Sequence, residues 1–221
     1  NSLKSQDGIA VYTRPAVGVY YTYLNQKIKP FDNLMVRQAI NHAVDRDKLV
    51  QLVLDGNGKP ATSVLASAFA DYNPNTTQYA YDVDKAKALM QQAGMSAGFE
   101  TKYLNITGSA YQHAAESIQE DLSKINIKLT IESYPVAQWV PKGASGAYGM
   151  SFFYYTYSDP DILYLAMRTG QAFAWCNQND PDLDKLLDEE HVEFDKTKRH
   201  DAIIQAQARM NDNAMVLLLW E

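Results

Sequence analysis

Hydrophobic residues recur along the chain at two different spacings, and this pattern predicts strands separated by helices. Residues 18–25 (GVYYTYLN) are rich in Tyr, Val and Thr, as is typical of a strand. After Asp32, the residues Val36, Ile40 and Ala43 recur at helical spacing and mark one helix face. Further strands are predicted over 100–106, 127–134, 150–155 and 215–220. Further helices are predicted to begin after Asp45, after Asp82 or Asp84 and near Ser109, and to lie near Trp139 and over 196–210.

Two Asp-Pro pairs, Asp159-Pro160 and Asp180-Pro181, predict helix openings of the same kind. In each, the Asp side chain would accept a hydrogen bond from a free backbone N–H, and Pro would occupy the first turn, where no N–H is needed. No internal repeat, low-complexity tract or interdomain linker interrupts the sequence. Strands separated by helices imply a layered sheet. We therefore expect residues 1–221 to form one α/β domain, a mixed sheet flanked by helices.

The composition excludes some functions without selecting one. The 221 residues carry a net charge of −6 and are 46% hydrophobic, an ordinary globular composition. Nucleic-acid binding is not expected, because it depends on clustered Lys and Arg. Membrane insertion is not expected either, because no apolar run approaches the ~20 residues that span a bilayer. The densest basic group is interpreted as a solvated helix face; it comprises Lys196, Lys198, Arg199 and His200.

The fifteen tyrosines leave two interpretations open. Tyr suits half-wet surfaces that bind small molecules, because it joins an apolar ring to a polar tip. It also fills strands, where aromatic residues are favoured.

Motifs for catalysis or metal binding are absent from the sequence. There is no G-x-S-x-G elbow, no glycine-rich phosphate loop and no H-E-x-x-H. His113 and Glu116 supply two ligands where structural zinc takes four, so they are interpreted as helix surface. The acidic run 188–191 is likewise interpreted as a solvated face. The single cysteine, Cys176, is interpreted as a packed or half-buried thiol. We therefore expect no enzyme, no metal and no cofactor.

Four segments follow one another in a characteristic order. They are VYYTYLNQKIKPFDNLMVRQAINHAVDRDKLVQLVLDGNGKPA, YDVDKAKALMQQAGMSAGFE, AESIQEDLSKINIKLTIES followed by Trp139, and MSFFYYTYSDPDILYLAMRTG followed by FAWCNQNDPDLDKLLDE. Together they span nearly the whole chain, and each resembles the matching segment of the second lobe of the peptide/nickel (family 5) solute-binding proteins of ABC importers.

The resemblance implies one lobe of a periplasmic-binding-protein-like II fold that captures a small ligand without chemistry. The partners it implies are the ligand (a peptide or another solute), the ABC permease subunits and a first lobe of the same protein. It places Asn1 near the crossing between lobes and Glu221 before the return, which predicts an isolated lobe. It also implies a periplasmic or extracellular location, with a lipid anchor in Gram-positive relatives.

The resemblance places the ligand at the end of the strand 150–155. In the peptide binders this strand carries a Trp and, three residues later, an Asp that pairs with the α-amino group of the peptide. Counted back from Asp159-Pro160, these places fall on Phe153 and Thr156. An ammonium group without a counter-charge is costly to bury, so recognition of a free peptide N terminus is not expected. Asp159 is an alternative partner, although it is interpreted mainly as a helix cap.

Phe153, Tyr155 and Tyr157 alternate along the strand and would form a ring surface for sugars, opine-like conjugates, aromatic solutes or blocked peptides. The alternative is that Phe153 and Tyr155 lie in the core and Tyr157 alone is exposed. By resemblance, Trp175 lies in a loop near the site of dipeptide binders, and Cys176 matches half of a disulfide whose partner is absent here. The candidate ligand-binding residues are Phe153, Tyr155, Thr156, Tyr157, Ser158, Asp159 and Trp175.

Two other functions stay open at this point. The same fold can serve as a solute-sensing or receptor-docking module without transport. An enzyme is the remaining alternative, although no motif in the sequence asks for one.

Overall fold

One mixed sheet organises the computed structural model, which describes residues 8–10, 12 and 16–221. Asn1, predicted to lie near a crossing between lobes, falls outside the described residues. The strand order is β3-β2-β4-β1-β5. The strands are β1 (Gly18–Leu24), β2 (Phe99–Ile106), β3 (Ile127–Tyr134), β4 (Met150–Thr156) and β5 (Val216–Trp220). This confirms the predicted α/β fold with a mixed sheet.

Eight helices flank the sheet within the described ranges. They are α1 (Leu34–Ala43), α2 (Arg46–Leu54), α3 (Val83–Gln92), α4 (Ser109–Ser123), α5 (Val136–Ala144), α6 (Ile162–Met167), α7 (Pro181–Val192) and α8 (Lys196–Asp212). The sequence predicted the caps of two of them, α2 and α7, and placed the start of α3 at Asp82 or Asp84. The side chains of Asp45, Asp82 and Asp180 each accept a backbone N–H at the start of α2, α3 and α7. Among these helices, none is long and apolar enough to cross a membrane.

The strand directions define two edges of the sheet. β2 runs parallel to β3 and to β4, whereas β1 is antiparallel to β4 and β5. The carboxyl ends of β2, β3 and β4 therefore lie on one side, which we call the carboxyl edge. β1 starts there, because Gly18 pairs with Thr156. The opposite side is the amino edge, where Leu24 pairs with Met150.

Tyrosines fill much of the core between the sheet and its helices. Tyr21, Tyr23 and Tyr103 are fully buried. The hydroxyl of Tyr23 donates to the carbonyl of Ala166 in α6 at 2.8 Å, and the hydroxyls of Tyr103 and Thr22 lie 2.9 Å apart. For these residues the strand-filling interpretation holds.

Cys176 is fully buried, and burial raises the pKa of its thiol to about 11. Since the thiolate is the reactive form, we expect this cysteine to react with a disulfide reagent at pH 8 at least about 100-fold more slowly than a free cysteine. The release of the chromophore from the reagent measures the rate. Labelling in urea is the control and should be fast, whereas fast labelling of the folded chain would contradict the buried position.

Candidate ligand-binding edge

Three exposed segments meet at the carboxyl edge, each at the end of a parallel strand. They are residues 107–109 after β2, 135–138 after β3, and 156–159, which begins with the last residue of β4. We call these segments the carboxyl-edge surface. Their side chains are hydroxyls, an amide and small apolar groups, and the one charged member is Asp159. In open α/β sheets, ligands bind beyond the carboxyl ends of the strands.

The segment after β4 presents free hydroxyls on this surface. Thr156, Tyr157 and Ser158 are exposed, with Tyr157 at 54%. Their side-chain hydroxyls make no hydrogen bond to another described residue. These three predicted site residues therefore lie together, and their hydroxyls have no partner among the described residues.

Phe153 and Tyr155, in contrast, face the core. The ring of Phe153 lies 5.7 Å from that of Trp139 and 5.4 Å from that of Trp175. Tyr155 is 4% exposed, and its hydroxyl donates to the carbonyl of Val64. The structure thus matches the alternative in which only Tyr157 is exposed, and the three rings form no common surface.

Asp159 does not cap a helix in the way that the sequence predicted. α6 begins at Ile162, and Asp161 is its N-cap residue without a side-chain cap bond. The carboxylate of Asp159 instead accepts the backbone N–H of Asp161 at 2.9 Å and the guanidinium of Arg199 at 2.6 Å. The bond from Asp161 and then the one from Arg199 lower the pKa of Asp159. Because its charge is already paired, Asp159 is poorly suited to bind a ligand ammonium.

The acidic run 188–191 and the basic group around Arg199 meet next to Asp159, although the sequence assigned both to solvated helix faces. Glu190 is fully buried, contrary to the prediction for 188–191. Arg199 bridges Asp159 and Glu190, with Nη2 lying 3.4 Å from Oε2 of Glu190. Burial, and then the charge of Asp161, raises the pKa of Glu190 to about 7. Helical periodicity could not reveal this network, because it forms only when α7 packs against α8.

Trp175 contacts one other predicted site residue, the buried Phe153, with ring centroids 5.4 Å apart. Trp175 follows the amino edge, where the carbonyl of Cys176 accepts the backbone N–H of Gln26 at 2.8 Å. Its ring, however, packs on Phe153, which lies midway along β4 and three residues before Thr156. Trp175 is 4% exposed and lines a cavity of about 750 Å³ at the amino edge. Trp175 thus belongs to the buried ring cluster around Phe153, and among the described rings it makes no contact with that of Tyr157.

Trp139 is a buried aromatic residue to which the sequence assigned no role in the site. It lies in α5, which starts at the carboxyl edge, and its ring is 4.7 Å from that of Trp175. Its indole nitrogen is buried and has no hydrogen-bond partner among the described residues. The sequence placed a helix here, but the direction of the ring depends on tertiary packing.

His113 and Glu116 are exposed on α4, in agreement with their interpretation as helix surface. Across the described ranges, no group of three or more His, Cys, Asp or Glu side chains is arranged to hold a metal ion.

Comparison with known proteins identifies the family. The family model for bacterial extracellular solute-binding proteins, family 5 Middle, matches residues 1–201. The dipeptide-binding protein of Escherichia coli K12 is 27% identical over 231 residues, which cover 98% of this chain and 43% of that protein. Heme-binding protein A of Haemophilus influenzae is 28% identical over 222 residues, which cover 96% of this chain and 41% of that protein.

The fold agrees with a solved structure of the same kind. The periplasmic binding protein DppA from Helicobacter pylori, in complex with the peptide STSA, superposes with a TM-score of 0.90 at 27% identity. The match covers 99% of this chain and 44% of that one, so this chain spans less than half the length of the relatives it matches. The chain belongs to family 5 of the bacterial extracellular solute-binding proteins.

Proposed function

We propose that this chain forms one ligand-binding lobe of a solute-binding protein that delivers a small molecule to an ABC importer. The observation that carries the proposal is the exposed segment 156–158, whose hydroxyls are unpaired among the described residues at the carboxyl edge. Family membership and the position of this segment beyond a parallel strand support the same reading.

In this proposal the chain is the second lobe of a clamp. A first lobe would close over the carboxyl-edge surface by a hinge motion around the ligand. The partners would be the small ligand and the permease subunits, and the protein would work in the periplasm or outside the cell. The lobe would carry out no chemistry on the ligand.

The carboxyl-edge surface favours a ligand without a free ammonium group at this position. Thr156 offers a neutral hydroxyl, and the carboxylate of Asp159 is paired with Arg199. A buried ammonium needs a hydrogen-bonded counter-charge. We therefore propose a peptide-like solute with a blocked N terminus, or a sugar or opine-like compound.

Native mass spectrometry of the full-length protein, purified without denaturation, tests the transport role directly. We expect a small molecule to co-purify, and the released molecule to resist amine-specific labelling. Recovery of a free-amine peptide as the bound species would reject the proposed ligand class. A full-length protein that binds no small molecule, before or after exposure to periplasmic extract, would reject the ligand-binding role itself.

Thr156→Asp is expected to make the full-length protein favour free-amine peptides over N-acetylated ones more than the wild type does. The new carboxylate would pair with an ammonium, so affinity for Ala-Phe relative to N-acetyl-Ala-Phe should rise at least ~10-fold, about 1.4 kcal/mol. Calorimetry with both peptides measures the ratio. Thr156→Asn is the matched control, because it has a similar shape without charge and should leave the ratio unchanged. An unchanged ratio in Thr156→Asp would show that residue 156 does not contact this end of the ligand.

A further inference from the structure

We infer that Arg199 is a positioning residue for the turn 157–161, and that the protonation state of Glu190 sets how firmly Arg199 holds this turn. The role of the turn in binding rests on the proposed function, whereas its attachment to Arg199 does not. The turn carries the exposed hydroxyls of Tyr157 and Ser158 and continues directly into α6.

Arg199 connects the turn to the helix pair α7–α8 through several bonds. Nη2 donates to the carboxylate of Asp159 at 2.6 Å. Nε donates to the backbone carbonyl of Glu190 at 3.1 Å, and Nη2 also lies 3.4 Å from Oε2 of Glu190. The side chain of Arg199 is 29% exposed, so solvent screens this site only in part. A single cation therefore serves one carboxylate of the turn and one of α7.

The second connection of the turn is a histidine–carboxylate pair. Nδ1 of His191 lies 2.5 Å from Oδ1 of Asp161. The ring of His191 stacks on that of Tyr164 in α6 at 4.0 Å, with an interplanar angle of 9°. The charged groups that act on Glu190 are thus Asp159 and Asp161 from the turn and Arg199 on α8. His191 on α7 and Tyr164 on α6 adjoin this group through Asp161, which His191 contacts.

Glu190 is poorly matched to its surroundings when it is ionised. Its side chain is fully buried, and Oε1 has no hydrogen-bond partner among the described residues. Asp159 and Asp161 add two negative charges nearby, against one from Arg199. A buried carboxylate in this position is costly. Its pKa of about 7 means that protonation occurs close to neutral pH.

Protonation of Glu190 changes what holds the turn. The neutral carboxyl no longer competes for the guanidinium, so Arg199 can pair with Asp159 alone. Protonation also removes the repulsion between Glu190 and the carboxylates of Asp159 and Asp161. The turn should therefore be held more firmly at pH 6 than at pH 8. A firmly held turn costs less to order when a ligand binds.

Nitrogen-15 NMR of the 221-residue chain tests the inference without any ligand. We expect the amide signals of Asp159 and Asp161 and the Nε signal of Arg199 to titrate together with a midpoint near pH 7, and this transition to disappear in Glu190→Gln. His191→Gln is the control, because His191 contacts the turn directly through Asp161; the transition should persist in it. A transition lost in His191→Gln but kept in Glu190→Gln would overturn the inference.

Hydrogen exchange tests the positioning role of Arg199 itself. At pH 6, Arg199→Gln should lower the protection of the Asp161 amide at least ~5-fold, and Arg199→Lys should restore part of it. Unchanged protection in Arg199→Gln would reject the role. Calorimetry of the full-length protein with N-acetyl-Ala-Phe at both pH values separates the two proposals. A pH-dependent turn with pH-independent affinity would leave the positioning role in place and remove the turn from the ligand site.

Discussion

Gly98→Ala is expected to destabilise the fold by about 4 kcal/mol or more, a large part of the 5–15 kcal/mol that holds a typical domain together. Gly98 has a φ of +72° and lies directly before β2. A Cβ atom there would lie 1.8 Å from the backbone carbonyl oxygen of Asn126, which directly precedes β3. The two strands are paired from their first residues, Phe99 with Ile127. Relief of the clash would therefore require the start of the β2–β3 pair to separate.

Gly94→Ala is the matched control for this prediction. Gly94 also has a φ of +72°, but a Cβ atom added there would have no neighbour within 4 Å. The left-handed backbone conformation alone costs an alanine roughly 1–2 kcal/mol. Urea unfolding followed by circular dichroism should therefore separate the two variants by about 2 kcal/mol or more. Equal losses would show that the approach of Gly98 to Asn126 is not tight in solution.

The elements of this fold could be predicted from the sequence because their signals are local. A strand over 127–134 requires only alternating apolar residues, and the start of α7 requires only Asp180 and Pro181. At Asp159, which also precedes a proline, the same local reasoning was right in part: its carboxylate accepts the backbone N–H of Asp161, but it is not the N-cap residue of α6. There a guanidinium from a segment distant in sequence, Arg199, binds the carboxylate and the helix starts later.

The structure agrees with the sequence on which residues at the end of β4 are exposed, but not on the details of the candidate site. Resemblance led to the end of β4, and Thr156, Tyr157 and Ser158 do lie exposed there. The phase of the strand decided whether Phe153 and Tyr155 faced a ligand, and period-two alternation fits either phase when both faces of a strand are buried. Only the packing of α5 and α6 on the sheet settles this question.

The burial of Glu190 could not be predicted from the sequence either, because it depends on how α7 packs in the fold. A carboxylate within the run 188–191 normally faces water, and the helix pattern alone gives no cause to bury it. In the structure, α7 turns Glu190 toward the start of α8 and the turn before α6. A residue that appears unremarkable in the sequence can thus have a strongly raised pKa in the fold.

Glu190→Gln is expected to stabilise the chain by about 3 kcal/mol at pH 8 and by less than about 1 kcal/mol at pH 5. The pKa of Glu190 is raised from 4.5 to about 7 in the folded state. Between these two values the folded state binds more protons than the unfolded state. The contribution of Glu190 is therefore most favourable below about pH 4.5, and it is lost as the pH rises through about 7. Glutamine keeps the shape of the side chain without its charge, so the variant avoids the loss of stability that the ionisation of Glu190 causes.

The difference between wild type and variant is the quantity to measure, because other groups also titrate in this range. Burial lowers the pKa of His42, so His42 makes the fold less stable as the pH falls, which opposes the effect of Glu190. That contribution is present in both proteins and cancels when their unfolding free energies are subtracted. Glu189→Gln, on the exposed side of the same helix, is the matched control and should change stability by less than about 0.5 kcal/mol at either pH. A Glu190→Gln difference that stays constant from pH 5 to pH 8 would mean that Glu190 is ionised throughout and that Arg199 fully compensates its burial.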